Sequence, residues 1–204
     1  MKIHFSSKIF VLAAFCISLF AGVPNMAGAG EPTEQIRQTV DDVLEVLNNK
    51  ELKKPDKAEI RKKKIHDIVY KRFDFEEMAK RSLGVHWAQR KPEERKEFVA
   101  LYSDLLENTY TKKVERYENE KVAYTGEKLD GQYATVKTVV STKDVDIPVE
   151  YRIFKAAGKW GVYDIVIEGV SLVNNYRSQF NQIIRSGSYE ELVKRLREKN
   201  LKIK

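Results

Sequence analysis

The feature that most constrains this chain is its hydrophobic period, which changes from helical to alternating and back to helical. Residues 36–117 repeat apolar side chains three and four positions apart, as amphipathic helices do. Residues 121–168 alternate apolar and polar side chains, with the turn signals Asp130-Gly131 and Gly158 between the alternating stretches. After Gly169 the helical spacing returns. This order predicts an α+β fold in which helices pack on an antiparallel sheet.

Boundary residues divide the first helical part into four predicted helices. The first ends at Asn48-Asn49, and the second starts at Pro55, since proline is favoured in a first turn. Asp74 caps a short third helix, with Glu77 as its capping-box partner. The second helix carries the apolar residues Ile60, Ile65, Ile68, Val69 and Phe73. A fourth and longest helix opens at Pro92 and has as its apolar face Phe98, Leu101, Tyr102, Leu105, Leu106, Thr109, Tyr110, Val114 and Tyr117.

Four strands are predicted over residues 121–129, 132–142, 147–156 and 160–168. Short turns join them, so we expect a curved four-stranded antiparallel meander with one buried face. Ser171 and Ser188 are the expected N-caps of two helices that follow the sheet. The N-terminal and C-terminal helices are expected to pack on this sheet and enclose an apolar cavity.

Residues 1–29 have the three parts of a secretory signal peptide. Lys2 and Lys8 give a positive start, and residues 9–20 (IFVLAAFCISLF) form an unbroken apolar stretch. The small residues that signal peptidase requires are supplied by Ala27-Gly28-Ala29. A permanent anchor takes about 20 apolar residues, more than this stretch has. We therefore expect cleavage near Ala29 and a single exported domain, residues 30–204.

Cysteine usage narrows the chemistry of that domain. Cys16 is the only cysteine, and Phe15 occupies the place of the small residue that lipidation requires. Export would therefore leave a chain without a lipid anchor, disulfides or thiol nucleophiles. Loss of Lys2 and Lys8 lowers the formal net charge from +7 to +5. Such a charge suits an anionic lipid or an acidic partner without establishing either.

Catalytic motifs are missing from the sequence, which contains no HExxH, GxSxG, P-loop or GxGxxG pattern. Beyond the leader the histidines are His66, in a basic run, and His86, which is explained as a residue at a helix end. Paired carboxylates fall in predicted first turns, where they favour the helix dipole. We expect no enzyme, no metal and no cofactor.

The basic run covers residues 53–64, of which seven in twelve are lysine or arginine. A solvated helix face is one interpretation of this run. Docking onto anionic headgroups or onto an acidic partner is the other. Nucleic acid is not expected, because export removes the protein from DNA and no aromatic stacking motif accompanies the run.

Two stretches of the sequence resemble the MlaC, or toluene-tolerance, family of periplasmic phospholipid-binding proteins. The likeness covers nearly all of residues 30–204 in the same order. In the first stretch it rests on Phe73-Asp74-Phe75, Met78-Ala79, Leu83-Gly84, Trp87, Phe98, Leu105-Leu106 and Thr109-Tyr110. In the second it rests on Trp160, Tyr163-Asp164, residues 168–173 (EGVSLV), Tyr176-Arg177, Gln179-Phe180 and Ile183-Ile184.

This resemblance implies a periplasmic carrier that takes phospholipid as cargo. It would exchange lipid with an inner-membrane ABC transporter complex and an outer-membrane lipoprotein complex, and so help preserve outer-membrane lipid asymmetry. Relatives associated with hopanoids leave the cargo open. The family fold encloses acyl chains between a curved sheet and helices and leaves the headgroup near solvent. We expect a monomer.

Physical chemistry agrees with an apolar cavity as the site of such a carrier. Moving a two-chain lipid through water hides about 30 methylenes at roughly 0.8 kcal/mol each, on the order of 25 kcal/mol in total. Release without a partner should then be slow. Candidate wall residues are Val136, Val140, Val149, Tyr151 and Ile153 on the sheet and Leu101, Leu105, Val170, Val173 and Phe180 on helices. Each of them is explained equally well as ordinary core.

Asp164 and Arg177 have two interpretations. A strand aspartate and a helix arginine could pair to fix the following helix on the sheet, or Arg177 could contact the headgroup. Two other classes of protein also stay open. A small enzyme on a cone-shaped α+β fold would have buried His, Asp and Tyr side chains converging in its cavity. A non-carrying adaptor, which bridges membrane complexes through its basic face, would have no cavity large enough for acyl chains.

Overall fold

The computed structural model describes residues 30–114 and 120–203, and the proposed leader and Tyr117 lie outside them. The described residues form six α-helices and five strands, which confirms the α+β class. The helices are α1 (Glu31–Asn48), α2 (Ala58–Arg72), α3 (Phe75–Leu83), α4 (Pro92–Val114), α5 (Leu172–Ser186) and α6 (Tyr189–Ile203). The strands are β1 (Lys121–Asp130), β2 (Tyr133–Ser141), β3 (Asp146–Ala156), β4 (Lys159–Ile167) and β5 (Val170–Ser171). Short 3₁₀ turns span Pro55–Lys57 and Gly84–Gln89.

Side-chain caps fix the starts of three helices at the three residues that the sequence predicts. The Glu77 half of the predicted capping box is not formed, because the Asp74 amide donates to the Val162 carbonyl at 2.9 Å. Asp74 Oδ1 accepts a hydrogen bond from the Glu77 amide at 2.8 Å, so α3 begins at the next residue. The hydroxyl of Ser171 accepts from the Asn174 amide at 3.1 Å and starts α5. At α6 the hydroxyl of Ser188 accepts from the third residue along in the same way. These bonds satisfy amides that have no partner within the helix.

The strands form one antiparallel sheet in the order β1-β2-β3-β4-β5. There are five strands rather than four, because Val170 and Ser171 fold back and pair with the end of β4. The register shifts at two points, because Thr125 in β1 and Tyr163 in β4 are extra residues with no partner opposite them. Such bulges bend a strand and increase its twist, which curves the sheet.

Buried side chains fall into two clusters rather than one. The helical cluster joins α3, α4, α5 and α6, and its centre is a group of rings in which Phe98 and Tyr102 each meet Phe180 edge-on. A sheet cluster joins α1 to the strands through Ile36, Ala134, Val136, Ile153, Trp160 and Val162. Phe73 and Ile165 pack against both clusters. The space beside these two residues, where the clusters do not merge, is the position of the main cavity.

Helix α2 is the least embedded part of this arrangement. Among its residues only Ile65 is buried. Ile60 belongs to the predicted apolar stripe but is 47% exposed, because five residues of helix place it away from the face that carries Ile65. Among the described helices, none is both long enough and apolar enough to cross a membrane.

Candidate functional site

A cavity of about 320 Å³ lies between helices α2–α4 and the last long strands of the sheet. Most of its wall is aliphatic or aromatic. The apolar lining consists of Ile65, Val69, Phe73, Phe75, Met78, Leu106, Val149, Ile165, Ile167 and Leu172. Three tyrosines, Tyr70, Tyr110 and Tyr151, and three ionisable residues, Lys62, His66 and Glu107, complete it.

The sheet side of the cavity is a patch of four residues from β3 and β4. Val149 and Tyr151 are two positions apart on β3, and Ile165 and Ile167 are two positions apart on β4, so each pair shares a face. Val149 pairs with Ile167 and Tyr151 with Ile165 in the register, which makes the four side chains neighbours. The opposite wall comes from α2, where Ile65 and Val69 share a face at helical spacing.

Three tyrosines contribute to this wall. Burial raises the pKa of Tyr70, of Tyr110 and of Tyr151 above the ordinary value for a phenol. These side chains therefore stay uncharged at neutral pH. A low-dielectric wall without charge suits acyl chains and excludes ions.

Ionisable groups occur on the lining where the cavity meets solvent. The side chains of Lys62, His66 and Glu107 are 38%, 35% and 22% exposed, so they mark the mouth. Lys62 Nζ lies 3.6 Å from one carboxylate oxygen of Glu107, and His66 Nε2 lies 3.9 Å from the other. At the mouth, Lys62 and His66 of α2 therefore both lie close to Glu107 of α4.

A larger open groove of about 600 Å³ lies on the other side of an aromatic partition. Tyr70, Phe73 and Phe75 line both spaces, and the rings of Tyr70 and Phe75 lie 4.3 Å apart. The groove is bordered by the charged side chains Lys71, Arg72, Asp74, Lys96, Asp104 and Lys159. Because water and charge reach the groove, the smaller and more enclosed cavity is the better candidate for an apolar ligand.

The structure brings two of the ten predicted wall residues to this cavity, Val149 and Tyr151. Leu105, Val173 and Phe180 lie in the helical cluster, with Leu101 packed against it. Val136 and Ile153 lie in the sheet cluster, and Val140 is half-buried on β2. Val170, on the short edge strand β5, is 59% exposed.

The α2 wall lies outside the set of wall residues that the sequence predicts. Its residues Ile65, Val69 and Phe73 recur every four positions, and this spacing was visible in the predicted second helix. Spacing indicates that a face is apolar, but it does not reveal whether another side chain or an open space lies opposite.

Asp164 is a buried carboxylate that ties the sheet to α5. It is 3% exposed and accepts hydrogen bonds from the Ser171 hydroxyl at 2.7 Å and from the Val173 amide at 3.0 Å. Arg152 Nη1 donates to it at 3.1 Å. Arg177 is exposed and is not among these partners. Asp164 therefore fixes α5 on the sheet through the start of the helix and not through Arg177.

The fold and this cavity define a class: an α+β protein built around an apolar cavity that has charge at its mouth. A concave, mostly apolar space of a few hundred Å³ with a few polar groups is typical of ligand sites. Within residues 30–114 and 120–203, no group of three or more His, Cys, Asp or Glu side chains is placed to hold a metal ion.

The chain belongs to the MlaC family, since the family model described as MlaC protein matches residues 37–198. The intermembrane phospholipid transport system binding protein MlaC of Haemophilus influenzae is 22% identical over 205 residues, which cover 97% of this chain and 93% of that protein. The phospholipid-binding protein from Ralstonia solanacearum, solved in complex with a phospholipid, superposes with a TM-score of 0.75 at 26% identity. That match covers 84% of this chain and 97% of the other. The resemblance found in the sequence is confirmed.

Proposed function

We propose that this protein is a phospholipid carrier of an intermembrane transport system, and that it holds the acyl chains of its cargo in the apolar cavity. The observation that carries this proposal is the separation of apolar wall from charged mouth. A phospholipid has the same division between chains and headgroup. The likeness to a phospholipid transport binding protein and to a phospholipid-bound structure supports the same reading.

Two rival functions receive less support. A small enzyme needs polar groups that converge in the cavity, yet the buried carboxylate of Asp164 is occupied by the start of α5 and by Arg152. His66 sits at the mouth, with its ring stacked on Tyr70 at 3.9 Å. A non-carrying adaptor would need no apolar cavity. We therefore propose a carrier without catalytic activity.

The volume of the cavity sets a requirement on the loaded state. A cavity of about 150 Å³ accepts benzene, which corresponds to about 25 Å³ per carbon atom. By that ratio, the cavity of about 320 Å³ takes roughly 13 carbons. Two acyl chains contain about 30 methylenes. The cavity must therefore widen when a two-chain lipid enters.

We also propose that residues 1–29 direct export and are removed near Ala29, and that the carrier works as a monomer in the periplasm. It would exchange lipid there with an inner-membrane ABC transporter complex and an outer-membrane lipoprotein complex. The intermembrane system in the relative's name supports this placement. N-terminal sequencing of the protein from a periplasmic extract should begin at Gly30, and an intact Met1 would contradict export with cleavage.

The test of the carrier function is lipid extraction and mass analysis of the purified protein, before and after incubation with phospholipid vesicles. We expect about one phospholipid per protein. Val149→Trp, which places a ring in the cavity, should abolish uptake. Val145→Trp is a matched control, because Val145 directly precedes the same strand and is 52% exposed.

Both variants should melt within a few degrees of the natural protein. Val149→Phe provides a milder block if the tryptophan prevents folding. Uptake that is equal in the Val149 and Val145 variants would rule out this cavity as the site, and no uptake by the natural protein would rule out the carrier.

A further inference from the structure

We propose that Lys62 and Glu107 form a headgroup site that favours phospholipids whose headgroup carries a primary ammonium group beside the phosphate. This inference rests on the proposed carrier function and names the cargo more narrowly. Lys62 would bind the phosphate, and Glu107 would accept hydrogen bonds from the ammonium group. Both residues act on the headgroup while the acyl chains occupy the apolar wall.

The position of the two residues supports this assignment. Lys62 is on α2 and Glu107 is on α4, so they face each other from different helices across the mouth. Both belong to the lining of the cavity, next to apolar neighbours such as Ile65 and Leu106. A lipid with its chains inside this cavity would therefore leave its phosphate and ammonium groups beside them.

Charge decides which headgroup fits. The ammonium of Lys62 and the carboxylate of Glu107 lie 3.6 Å apart and balance each other. A phosphate that binds Lys62 alone leaves the negative charge of Glu107 next to an anion. A headgroup with phosphate and ammonium replaces the Lys62–Glu107 pair with two new pairs of opposite charge. An anionic headgroup without a cation is therefore disfavoured at this mouth.

Hydrogen-bonding capacity separates the zwitterionic headgroups. A primary ammonium donates N–H bonds to a carboxylate, whereas a trimethylated ammonium has no N–H group to donate. The ring of His66 forms another side of the mouth. Its orientation is fixed, because the ring stacks on Tyr70 and its Nδ1 contacts Asp67 Oδ1 at 3.2 Å. Ethanolamine-type headgroups should therefore be preferred to choline-type ones.

The test is competitive loading from vesicles that contain equal amounts of phosphatidylethanolamine, phosphatidylcholine, phosphatidylglycerol and diacylglycerol with identical acyl chains. Bound lipids are extracted and quantified by mass spectrometry. We expect the natural protein to enrich phosphatidylethanolamine about two- to five-fold over phosphatidylcholine, the range for a partly exposed ion pair. Glu107→Gln should bring that ratio close to one while the total lipid per protein stays unchanged.

Lys62→Met should lower the ratio of phospholipid to diacylglycerol, because diacylglycerol has the chains without the phosphate. Matched controls are Lys63→Met, next to Lys62 but paired with Asp67, and Glu97→Gln, on α4 but paired with Arg197. Both controls should behave as the natural protein does. Normal loading with the same lipid ratios in the natural protein and in Glu107→Gln would overturn the headgroup site and leave the carrier function standing. No loading in any protein would overturn both.

Discussion

The carboxylate of Asp164 performs two tasks at the junction of the sheet with α5. It accepts the Val173 amide near the positive end of the helix dipole, and it accepts the Ser171 hydroxyl. Ser171 in turn accepts from the Asn174 amide, so one buried charge and one hydroxyl satisfy the start of α5 together. Arg152 supplies the countercharge from the neighbouring strand. The position of α5, which brings Leu172 to the cavity, depends on this small network.

Replacement of Asp164 should destabilise the fold. We expect Asp164→Ala to lower the free energy of unfolding by about 3 kcal/mol. The substitution leaves the Arg152 guanidinium, the Ser171 hydroxyl and the Val173 amide without their acceptor. Urea unfolding followed by circular dichroism measures this loss. Arg177→Ala is the control and should change the free energy by less than about 0.5 kcal/mol, since Arg177 is exposed on the same helix. Equal effects of the two variants would contradict the assigned partners.

Tyr189 links stability to alkaline pH. Its hydroxyl donates to the Glu94 carbonyl at 3.0 Å, and burial raises its pKa to about 12. Between about pH 10 and pH 12 the unfolded phenol loses its proton while the folded one keeps it. The unfolded state then binds fewer protons, so stability falls as the pH rises through this window.

We expect Tyr189→Phe to cost about 1 kcal/mol at neutral pH through the lost hydrogen bond. The gap in unfolding free energy between the natural protein and this variant should shrink above pH 10. Urea titrations at several pH values measure the gap. A constant gap up to pH 12 would show that the phenol does not stay protonated in the fold.

At the scale of elements, α2 combines a cavity wall with a basic solvent face. Most of the basic run lies on exposed surface, and several of its lysines pair with nearby acids, as Lys54 does with Glu51 and Lys63 with Asp67. Lys62 is the member that reaches the cavity lining. Because Ile65 is the only residue that α2 buries, this helix is the wall most free to move when the cavity widens.

Lipid loading should therefore change α2 more than α4. In the lipid-free protein we expect fast amide exchange in α2, since few buried contacts hold it. Acyl chains against Ile65 and Val69 should slow that exchange, while α4, with Phe98, Tyr102 and Leu105 buried, should change little. Hydrogen–deuterium exchange of lipid-free and lipid-loaded protein tests this. Protection gained mainly in α4 would show that α4, and not α2, is the wall that moves.

The whole molecule is organised around its divided core. One cluster holds the helices together and the other holds α1 to the sheet, and between them lies a space of about 320 Å³. An unfilled apolar space costs stability, because its lining lacks contacts on one side. Without an occupant the architecture would give up packing energy, and an apolar occupant would restore it.

Loaded protein should accordingly be more stable than lipid-free protein. A ligand that binds only the folded state raises its stability, and each 1 kcal/mol is worth about 2–4 °C in Tm for a chain of this size. We expect a Tm increase of at least 5 °C on loading by differential scanning calorimetry. Val149→Trp should show no increase in the same vesicles. An unchanged Tm of the natural protein, with lipid bound, would place that lipid outside the core.

Much of this protein was determined by local sequence signals. The caps at Asp74, Ser171 and Ser188 each act within three residues, and the Asp130-Gly131 turn acts within two, so local sequence is enough to predict them. The change of period gave the order of helices and strands. The resemblance to the MlaC family rests on residues spread along the chain and holds at the level of the family model.

The position of the cavity depends on the tertiary structure alone. Val149 and Leu105 both belong to apolar faces in the sequence, yet the first lines the cavity and the second is packed in the helical cluster. Asp164 pairs with Arg152 and not with Arg177, because the register of β3 against β4 places Arg152 opposite Asp164. A hydrophobic period records which side of an element avoids water. What that side contacts depends on how distant elements pack, and a cavity is a property of that packing.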